Sequence, residues 1–206
     1  MPTTLPISFY ESEDVTFIAR NLLGKIIETR IDGRVTRGRI VETEAYMAFT
    51  DRASHAYQGR RTPRNEDMYG PPGTAYVYIC YGLHRMFNVV TNKAEIPDAV
   101  LIRAVEPLEG IPVMLKRSRK KFADASLTRG PGNTGKALGI EKLHSGKSLQ
   151  QLPVRLLFDP DFCIAVEEIG ISPRIGVASS GEDAKRPYRF FIKGNRYVSG
   201  PGSKRG

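Results

Sequence analysis

The dipeptide Asp32-Gly33 lies between two runs of strand-forming residues, 25–31 and 34–46. Asp-Gly readily adopts the positive φ angles of a two-residue turn, so the segment predicts a β-hairpin. Other β-branched or aromatic runs bounded by turn residues predict further strands at 75–81, 86–91, 99–105, 151–158 and 189–192. The chain is therefore expected to contain several short strands.

Helical spacing of apolar residues predicts a helix at 14–23, with Ser12 as its cap. Residues 107–121 begin with Pro and Glu and end in bases, which favours a second helix interrupted at Pro112. The glycine-rich stretch 130–140 is compatible with a helix whose first amides meet a phosphate. The order of elements is mixed.

The segment 51–74 is rich in Gly, Pro, Arg and Asn and has no clear periodicity. A long irregular segment inside a compact domain is often functional, so we interpret it as a pocket-building loop. With 206 residues and 40% hydrophobic composition, the chain is expected to form one domain over 1–206. Residues 200–206 are expected to form a loose tail.

The chain is strongly basic, with 31 Lys and Arg against 22 Asp and Glu, a net charge of +9 and a pI near 9.7. Part of the surplus is clustered at 116–121, and no acid follows Asp183. Such clusters neutralise phosphates, although a solubilising surface or an anionic lipid site is an alternative. The composition favours a polyanionic partner.

No apolar run approaches the ~20 residues of a membrane span, and residues 1–14 carry acids but no base. Cys80 and Cys163 lie far apart in sequence, which is typical of buried, reduced thiols. We therefore expect an intracellular, soluble protein without a membrane partner. The three histidines have no metal-ligand spacing, so we predict no metal.

Two carboxylates, Glu42 and Glu44, alternate along the second strand of the hairpin. The period of two places them on one face with Ile40 and Tyr46. A carboxylate beside an aromatic ring can activate water and stabilise a cationic transition state, as cleavage of an N-glycosidic bond requires. Alternating acids more often mark a solvated face, and the spacing alone slightly favours that alternative.

Three tyrosines, Tyr76, Tyr78 and Tyr81, lie close together in one predicted strand. Core packing is the usual role of strand tyrosines, but several buried hydroxyls would all need partners, whereas a base-stacking surface leaves them in water. Arg103 lies in an apolar strand and must be paired or line a cleft. Aromatic faces, carboxylates and surplus positive charge together indicate chemistry on a nucleobase.

Several long motifs of the chain closely resemble those of the alkyladenine (3-methyladenine) DNA glycosylase family. They are GRIVETEAY at 38–46, TPRN at 62–65, PGTAYVYICYG at 72–82 and LIRAVEPLEG at 101–110. The resemblance continues through Gly130-Pro131, Ala137-Leu138 and RPYRF at 186–190, so it covers almost the whole chain. It outweighs the alternatives that single residues leave open.

The resemblance implies an α+β fold, with a single compact mixed domain, a curved antiparallel sheet and flanking helices. It also implies a base-excision repair enzyme that flips alkylated or deaminated purines out of damaged double-stranded DNA and hydrolyses the glycosidic bond. By motif match, Glu44 would activate the attacking water, and Arg103 would help to hold that water. No cofactor is implied.

The resemblance also assigns a base-binding pocket. Its residues are Tyr46, His55, Tyr78, Asn88 and Leu101. Tyr46, His55 and Tyr78 would sandwich the flipped base, and Asn88 on the pocket floor would disfavour the exocyclic amino group of guanine. Tyr81 would intercalate into the DNA, where an inserted side chain offsets the stacking lost on base flipping.

The pocket motifs contain no lysine, which favours water as the nucleophile and a monofunctional enzyme without lyase activity. Asn133 stands where relatives often have a basic residue, and Tyr197 where some have tryptophan. A monomer would suffice for one lesion, in the cytoplasm or nucleoid of a bacterium or the nucleus of a eukaryote. Two alternatives remain. One is a non-catalytic module that stacks nucleic-acid bases on its tyrosines. The other is a metal-dependent nuclease, which would require a carboxylate cluster that this sequence does not display.

Overall fold

The fold combines a curved antiparallel sheet with three α-helices and several short 3-10 turns in the residues described, 1–200 of a computed structural model. The predicted tail at 200–206 lies outside these residues, apart from Gly200. In chain order the strands and α-helices are β1 (Thr3–Thr4), α1 (Val15–Asn21), β2 (Ile26–Ile31), β3 (Arg34–Tyr46), β4 (Ala75–Cys80), β5 (His84–Thr91), β6 (Asp98–Glu109), α2 (Ile111–Ser118), α3 (Pro131–Leu138), β7 (Val154–Phe158), β8 (Ile169–Ser172) and β9 (Arg189–Ile192).

The sheet runs in the order β1-β7-β2-β3-β6-β5-β4, and every pairing in it is antiparallel. The long strand β3 pairs with β2 along its first half, and with β9 opposite Glu42, Thr43 and Glu44. Strand β8 pairs with β9 in turn. The second half of β3 is therefore enclosed between β9 and β6, which places Glu42 and Glu44 inside the sheet rather than at its edge.

The predicted hairpin forms as expected, because Asp32 and Gly33 both adopt positive φ angles, 52° and 69°. The predicted face of β3 is wrong in one respect. Residues 40 and 42 of β3 oppose the consecutive residues 105 and 104 of β6, so Val41 is an extra residue at a β-bulge. Ile40 consequently faces the main core, whereas Glu42 and Glu44 face the opposite side.

Two helix predictions need correction. Asp14, rather than Ser12, caps α1, since its carboxylate accepts hydrogen bonds from the amides of Thr16 at 2.8 Å and Phe17 at 3.1 Å. The predicted helix at 107–121 is shorter, because β6 continues to Glu109 and α2 starts at 111. Pro112 lies in the first turn of α2, where a missing N–H costs nothing, and so starts the helix instead of breaking it.

The helices cover one face of the sheet. The main core contains residues of α1, α2 and α3 together with inward residues of the strands, such as Ile40, Ala45 and Ile102. Thr43 on the same face donates a hydrogen bond to the carbonyl of Ala19 in α1 at 2.8 Å. A second cluster, which includes Ala56, Met68, Tyr76 and Ala99, joins the loop 51–74 to β4, β5 and β6. The loop therefore packs against the sheet through a cluster that is separate from the main core.

The predicted fold class, a single mixed α+β domain on a curved antiparallel sheet, is confirmed. Strands β1 and β8 were not predicted, since runs of two and four residues carry too little periodicity to detect. The expectation that both cysteines are buried is wrong, because Cys163 is exposed and Cys80 is half-buried beside a cavity. Both thiols are free.

Candidate functional site

Glu44 is fully buried on β3, yet its contacts Tyr46, Arg103 and Ile175 line a large cavity. Its Oε2 accepts a hydrogen bond from the hydroxyl of Tyr46 at 2.8 Å. The same oxygen forms an ion pair with Nη1 of Arg103 at 3.1 Å. Among residues 1–200, Oε1 of Glu44 accepts one hydrogen bond, from the amide of Ile175 at 2.7 Å. A carboxylate oxygen has two lone pairs, so none of these residues occupies the second lone pair of Oε1.

Glu42 is also fully buried, but both of its oxygens are occupied. Oε1 accepts hydrogen bonds from Arg103 at 2.9 Å and Arg189 at 2.7 Å, and the Ser199 hydroxyl lies 2.9 Å from it. Oε2 accepts from the Ser199 amide at 2.9 Å and from its hydroxyl at 2.8 Å. Glu42 thus has no free lone pair for water, and its contacts are those of a structural group.

Arg103 bridges the two carboxylates, with Nε on Glu42 and Nη1 on Glu44. Burial disfavours its charge, but the carboxylates of Glu44 and Glu42 outweigh burial and raise the pKa of Arg103 above its usual value. Leu101 lies two residues before Arg103 on β6. It pairs with Glu44 of β3 in the sheet and lines the cavity. The prediction that Arg103 is paired or lines a cleft is confirmed, because Arg103 is paired with two carboxylates and also lines the cavity.

An aromatic wall forms one side of the cavity. His55 accepts or donates a hydrogen bond at Nδ1 with the Tyr76 hydroxyl, 2.8 Å away, and its ring contacts Tyr78 edge to face at 4.5 Å between centroids. Because these two rings touch, no base fits between His55 and Tyr78. Tyr46 lines the same cavity.

The environment fixes the charge state of these rings at neutral pH. Burial, with the nearby charges of Arg64 and Arg60, lowers the pKa of His55 from 6.5 to about 4. Burial raises the pKa of Tyr78 to about 12, and burial together with Glu44 raises that of Tyr46 well above its usual value. The wall therefore presents neutral aromatic faces.

The cavity has a volume of about 940 Å³ and is bordered on one side by the predicted pocket-building loop. Arg52, Arg60 and Arg64 from this loop lie at the cavity, and the guanidinium of Arg64 lies 5.4 Å from the centroid of Tyr78. Residues 175–177, 179 and 180 also line the cavity. Among the residues described, the cavity lining contains arginines but neither lysine nor a carboxylate.

Asn88 lines a smaller cavity of about 30 Å³ with Tyr46, His55, Tyr78 and Ala99. Its Nδ2 donates to the carbonyls of residues 76 and 86, each at 3.2 Å. Carbonyls only accept hydrogen bonds, so these contacts fix the orientation of the amide. No hydrogen-bond partner of Oδ1 is found among residues 1–200.

Tyr81 follows β4 in a turn closed by a hydrogen bond from the Leu83 amide to the Cys80 carbonyl at 3.2 Å. Tyr81 and Gly82 have φ angles of 50° and 73°, both left-handed. This conformation costs a tyrosine ~1–2 kcal/mol, yet the side chain is 89% exposed and gains no packing in return. An exposed aromatic held at a strained position indicates a functional role.

Sequence reasoning missed three groups that surround Glu44 and Tyr46. The amide of Ile175 contacts Glu44, the guanidinium of Arg174 lies 4.6 Å from the centroid of Tyr46, and Asp51 forms a fully buried ion pair with Arg174. Arg174 carried no usable signal, since it lies in an irregular segment after the unpredicted strand β8. A backbone amide cannot be recognised from sequence at all.

No helix among residues 1–200 has the length and apolar character needed to cross a membrane. Within the same residues, no three His, Cys, Asp or Glu side chains are grouped so that they could hold a metal ion.

The curved α+β domain with its basic, aromatic cavity is consistent with one class of protein, the DNA glycosylases. The model of the methylpurine-DNA glycosylase family matches residues 8–196, and the chain belongs to that family. The resemblance noted in the sequence is thus confirmed, and with it a role in DNA repair.

Curated relatives match along nearly their whole length. A protein of Bdellovibrio bacteriovorus is 40% identical over 95% of this chain and 98% of its own. One of Desulfitobacterium hafniense is 40% identical over 93% and 96%, and one of Bacillus cereus is 42% identical over 94% and 98%. All three bear the name "Putative 3-methyladenine DNA glycosylase".

The low pKa of His55 predicts a pH dependence of stability. Between pH 6.5 and about 4 the unfolded chain binds a proton at this histidine and the folded chain does not. Acidification through this range therefore favours unfolding, and the stabilisation is complete only above pH 6.5. Denaturant titrations at a series of pH values should show the free energy of unfolding falling across the window.

The variant His55→Gln should flatten this fall without removing it. Burial also lowers the pKa of His144, which contributes with the same sign and remains in the variant. An unchanged slope between pH 4 and 6.5 in His55→Gln would show that His55 is protonated equally in both states.

Proposed function

We propose that this protein is a monofunctional glycosylase that flips alkylated or deaminated purines out of duplex DNA and hydrolyses the N-glycosidic bond. Glu44 activates the attacking water, and Arg103 helps to hold that water. The observation that carries the proposal is the second lone pair on Oε1 of Glu44, which no group among residues 1–200 occupies, on a carboxylate whose contacts Tyr46, Arg103 and Ile175 all line the cavity.

The position of Glu44 suits this reaction for two reasons. A carboxylate accepts a proton from water most effectively when its orientation is fixed, and three contacts fix Glu44. As the base leaves, the sugar gains oxocarbenium character, which a nearby carboxylate stabilises in a low-dielectric setting. Glu42 cannot substitute for Glu44, because its lone pairs are all engaged.

The flipped purine would lie between Tyr46 on one side and the touching pair of His55 and Tyr78 on the other. Neutral aromatic faces bind a flat ring, and a purine methylated on a ring nitrogen adds a cation–π attraction of ~1–2 kcal/mol once desolvated. The low pKa of His55 supports this arrangement, since a protonated imidazole would repel such a cation. Leu101 completes the lining.

Tyr81 would fill the space that the flipped nucleotide leaves in the duplex. It is exposed at the tip of the β4–β5 hairpin and also borders the cavity. The intercalating side chain and the base pocket are therefore adjacent. Arg52, Arg60 and Arg64 at the cavity, with the net charge of +9, would attract the phosphate backbone around it.

Water, rather than an amine, is the proposed nucleophile because no lysine lines the cavity among the residues described. An enzyme without an amine nucleophile forms no Schiff base and does not cleave the strand. We further propose that one glycosylase domain spans 1–206 and acts as a monomer on intracellular DNA, since one lesion occupies one cavity.

A base-release assay in EDTA tests the proposal. The protein is incubated with a duplex carrying one hypoxanthine or one methylated purine, in EDTA and in a parallel reaction with Mg²⁺, and both free base and strand breaks are measured. We expect free base without strand breakage. Binding without base release would instead favour a non-catalytic stacking module, and EDTA-sensitive strand cleavage would favour a metal-dependent nuclease.

Glu44→Gln should slow single-turnover base release by at least ~100-fold, because the amide cannot take a proton from water. Affinity for the lesion duplex should stay within about tenfold, ~1.4 kcal/mol. The matched control is Glu28→Gln, which alters another fully buried strand carboxylate, bound to Arg155 at 2.8 Å and remote from the cavity. Wild-type turnover in Glu44→Gln would remove Glu44 from the mechanism.

Tyr81→Asn tests the intercalating role of Tyr81 separately from its effect on stability. Asparagine tolerates left-handed φ angles, so the variant should be as stable as the wild type or more stable, by up to ~1 kcal/mol. Affinity for a duplex with an abasic site should fall by a stacking-sized ~1–3 kcal/mol. Thermal unfolding and gel-shift titration measure the two effects, and unchanged affinity for the abasic duplex would exclude the intercalating role.

Asn88→Ser should raise excision of guanine lesions relative to hypoxanthine. The Oδ1 atom of Asn88 is an acceptor, and the exocyclic amino group of guanine is a donor, so rejection of guanine would be steric. A shorter side chain relieves the crowding in a cavity of about 30 Å³. The test is the ratio of single-turnover rates on two duplexes that differ only at the target base, and a constant ratio would contradict the assignment.

A further inference from the structure

Arg174 forms an ion pair with Asp51 in which both side chains are fully buried. Nη1 of Arg174 contacts Oδ2 of Asp51, and Nη2 donates to Oδ1 at 2.8 Å, so the pair is bidentate. The same nitrogens donate to the carbonyls of Ala45 at 2.9 Å and Asp183 at 3.1 Å. Nε of Arg174 has no partner among the residues described.

These contacts join three separate segments around the cavity. Ala45 lies on β3 between Glu44 and Tyr46, Asp51 opens the loop that carries His55, and Asp183 belongs to the segment after β8. Arg174 also stacks on Tyr46, with its Cζ 4.6 Å from the ring centroid. The side chain therefore contacts both Tyr46 and the start of the loop that bears the opposite wall.

The neighbour of Arg174 in sequence, Ile175, donates its amide to Oε1 of Glu44 at 2.7 Å. Tyr46 donates its hydroxyl to Oε2 of the same carboxylate at 2.8 Å. Two of the three groups that orient Glu44 are thus held directly by Arg174, one through the chain and one through stacking. A shift of Arg174 would move both.

We propose that Arg174, fixed by Asp51, is a positioning residue that sets the orientation of the Glu44 carboxylate through the Ile175 amide and the Tyr46 ring. The proposal rests on the proposed function, in which Glu44 activates water. A planar guanidinium suits the task, since it offers several donors in one rigid plane and a face for stacking, whereas a lysine ammonium offers neither.

The alternative is that the ion pair only stabilises the fold. Buried ion pairs contribute little net stability, because desolvation offsets their attraction, although removal of one partner is costly. A purely structural role therefore predicts a loss of stability with a rate that falls only as the folded fraction falls. A positioning role predicts a slower rate in the fully folded variant.

The test uses Arg174→Lys, which keeps the charge, and Asp51→Asn, which keeps the shape and provides a second variant should the first fold poorly. Glu28→Gln is the matched control, since Glu28 is a fully buried carboxylate with arginine partners on β3 and β7, outside the cavity. Each variant is assayed for single-turnover release of hypoxanthine, for affinity to a duplex with a tetrahydrofuran abasic-site analogue, and for thermal unfolding. The Ile175 amide is followed by ¹H–¹⁵N NMR.

In both Arg174 and Asp51 variants we expect release to slow by about 100-fold, the effect of a misplacement near 1 Å. Affinity for the tetrahydrofuran duplex should be unchanged, and the Ile175 amide should shift upfield and exchange faster as its bond to Glu44 lengthens. The control should lose stability but keep the wild-type rate and amide signal. This combination would support positioning.

Wild-type release by folded Arg174→Lys would overturn the proposal, as would slow release with an unmoved Ile175 amide. If the rate of base release falls in proportion to the loss of stability in all three variants, the Arg174–Asp51 ion pair serves folding alone. If the wild-type protein itself releases no base from any lesion duplex, the proposed function fails. The amide signal then still reports whether Arg174 holds Ile175 on Glu44.

Discussion

The rest of the site depends on the contact of one guanidinium, Arg103, with two buried carboxylates, Glu42 and Glu44. Two carboxylates on the same face of a strand would repel each other if both were buried without a counter-charge. The guanidinium compensates both, while Arg189 and Ser199 complete the shell of Glu42. Glu42 therefore anchors the arginine, and among residues 1–200 Glu44 is left with one oxygen that is only partly engaged.

The backbone makes this contact possible through irregularities that the sequence does not reveal. A strict period of two predicts Ile40 on the same face as Glu42, but the bulge at Val41 moves Ile40 into the core. A second register shift, between the pairs formed by Glu42 and Thr43, leaves Arg103 as the extra residue on β6. Bulges depend on pairing between distant strands, and hydrophobic patterning within one strand carries no signal for them.

Local chemistry was sufficient for much of the fold. The Asp32-Gly33 turn, the strand β9 and the loop 51–74 were predictable because turn residues and periodicity act within a few positions. The site residues came from motif resemblance, and the structure brings Glu44, Tyr46, His55, Tyr78 and Leu101 together around one cavity or in contact with its lining. Arg174 and the Ile175 amide were not predictable, because their partners lie more than a hundred residues away in sequence.

The charges around the cavity act in opposite directions on a bound base. Arg60 and Arg64 contribute to the low pKa of His55, and they would oppose a cationic purine in the same way. The aromatic faces attract such a cation, and attraction and repulsion are each of order 1 kcal/mol at partly exposed sites. In the proposed reaction, charge would then discriminate only weakly between cationic methylpurines and neutral hypoxanthine. Selectivity would depend on the shape of the small cavity at Asn88 and on how readily each lesion leaves the duplex.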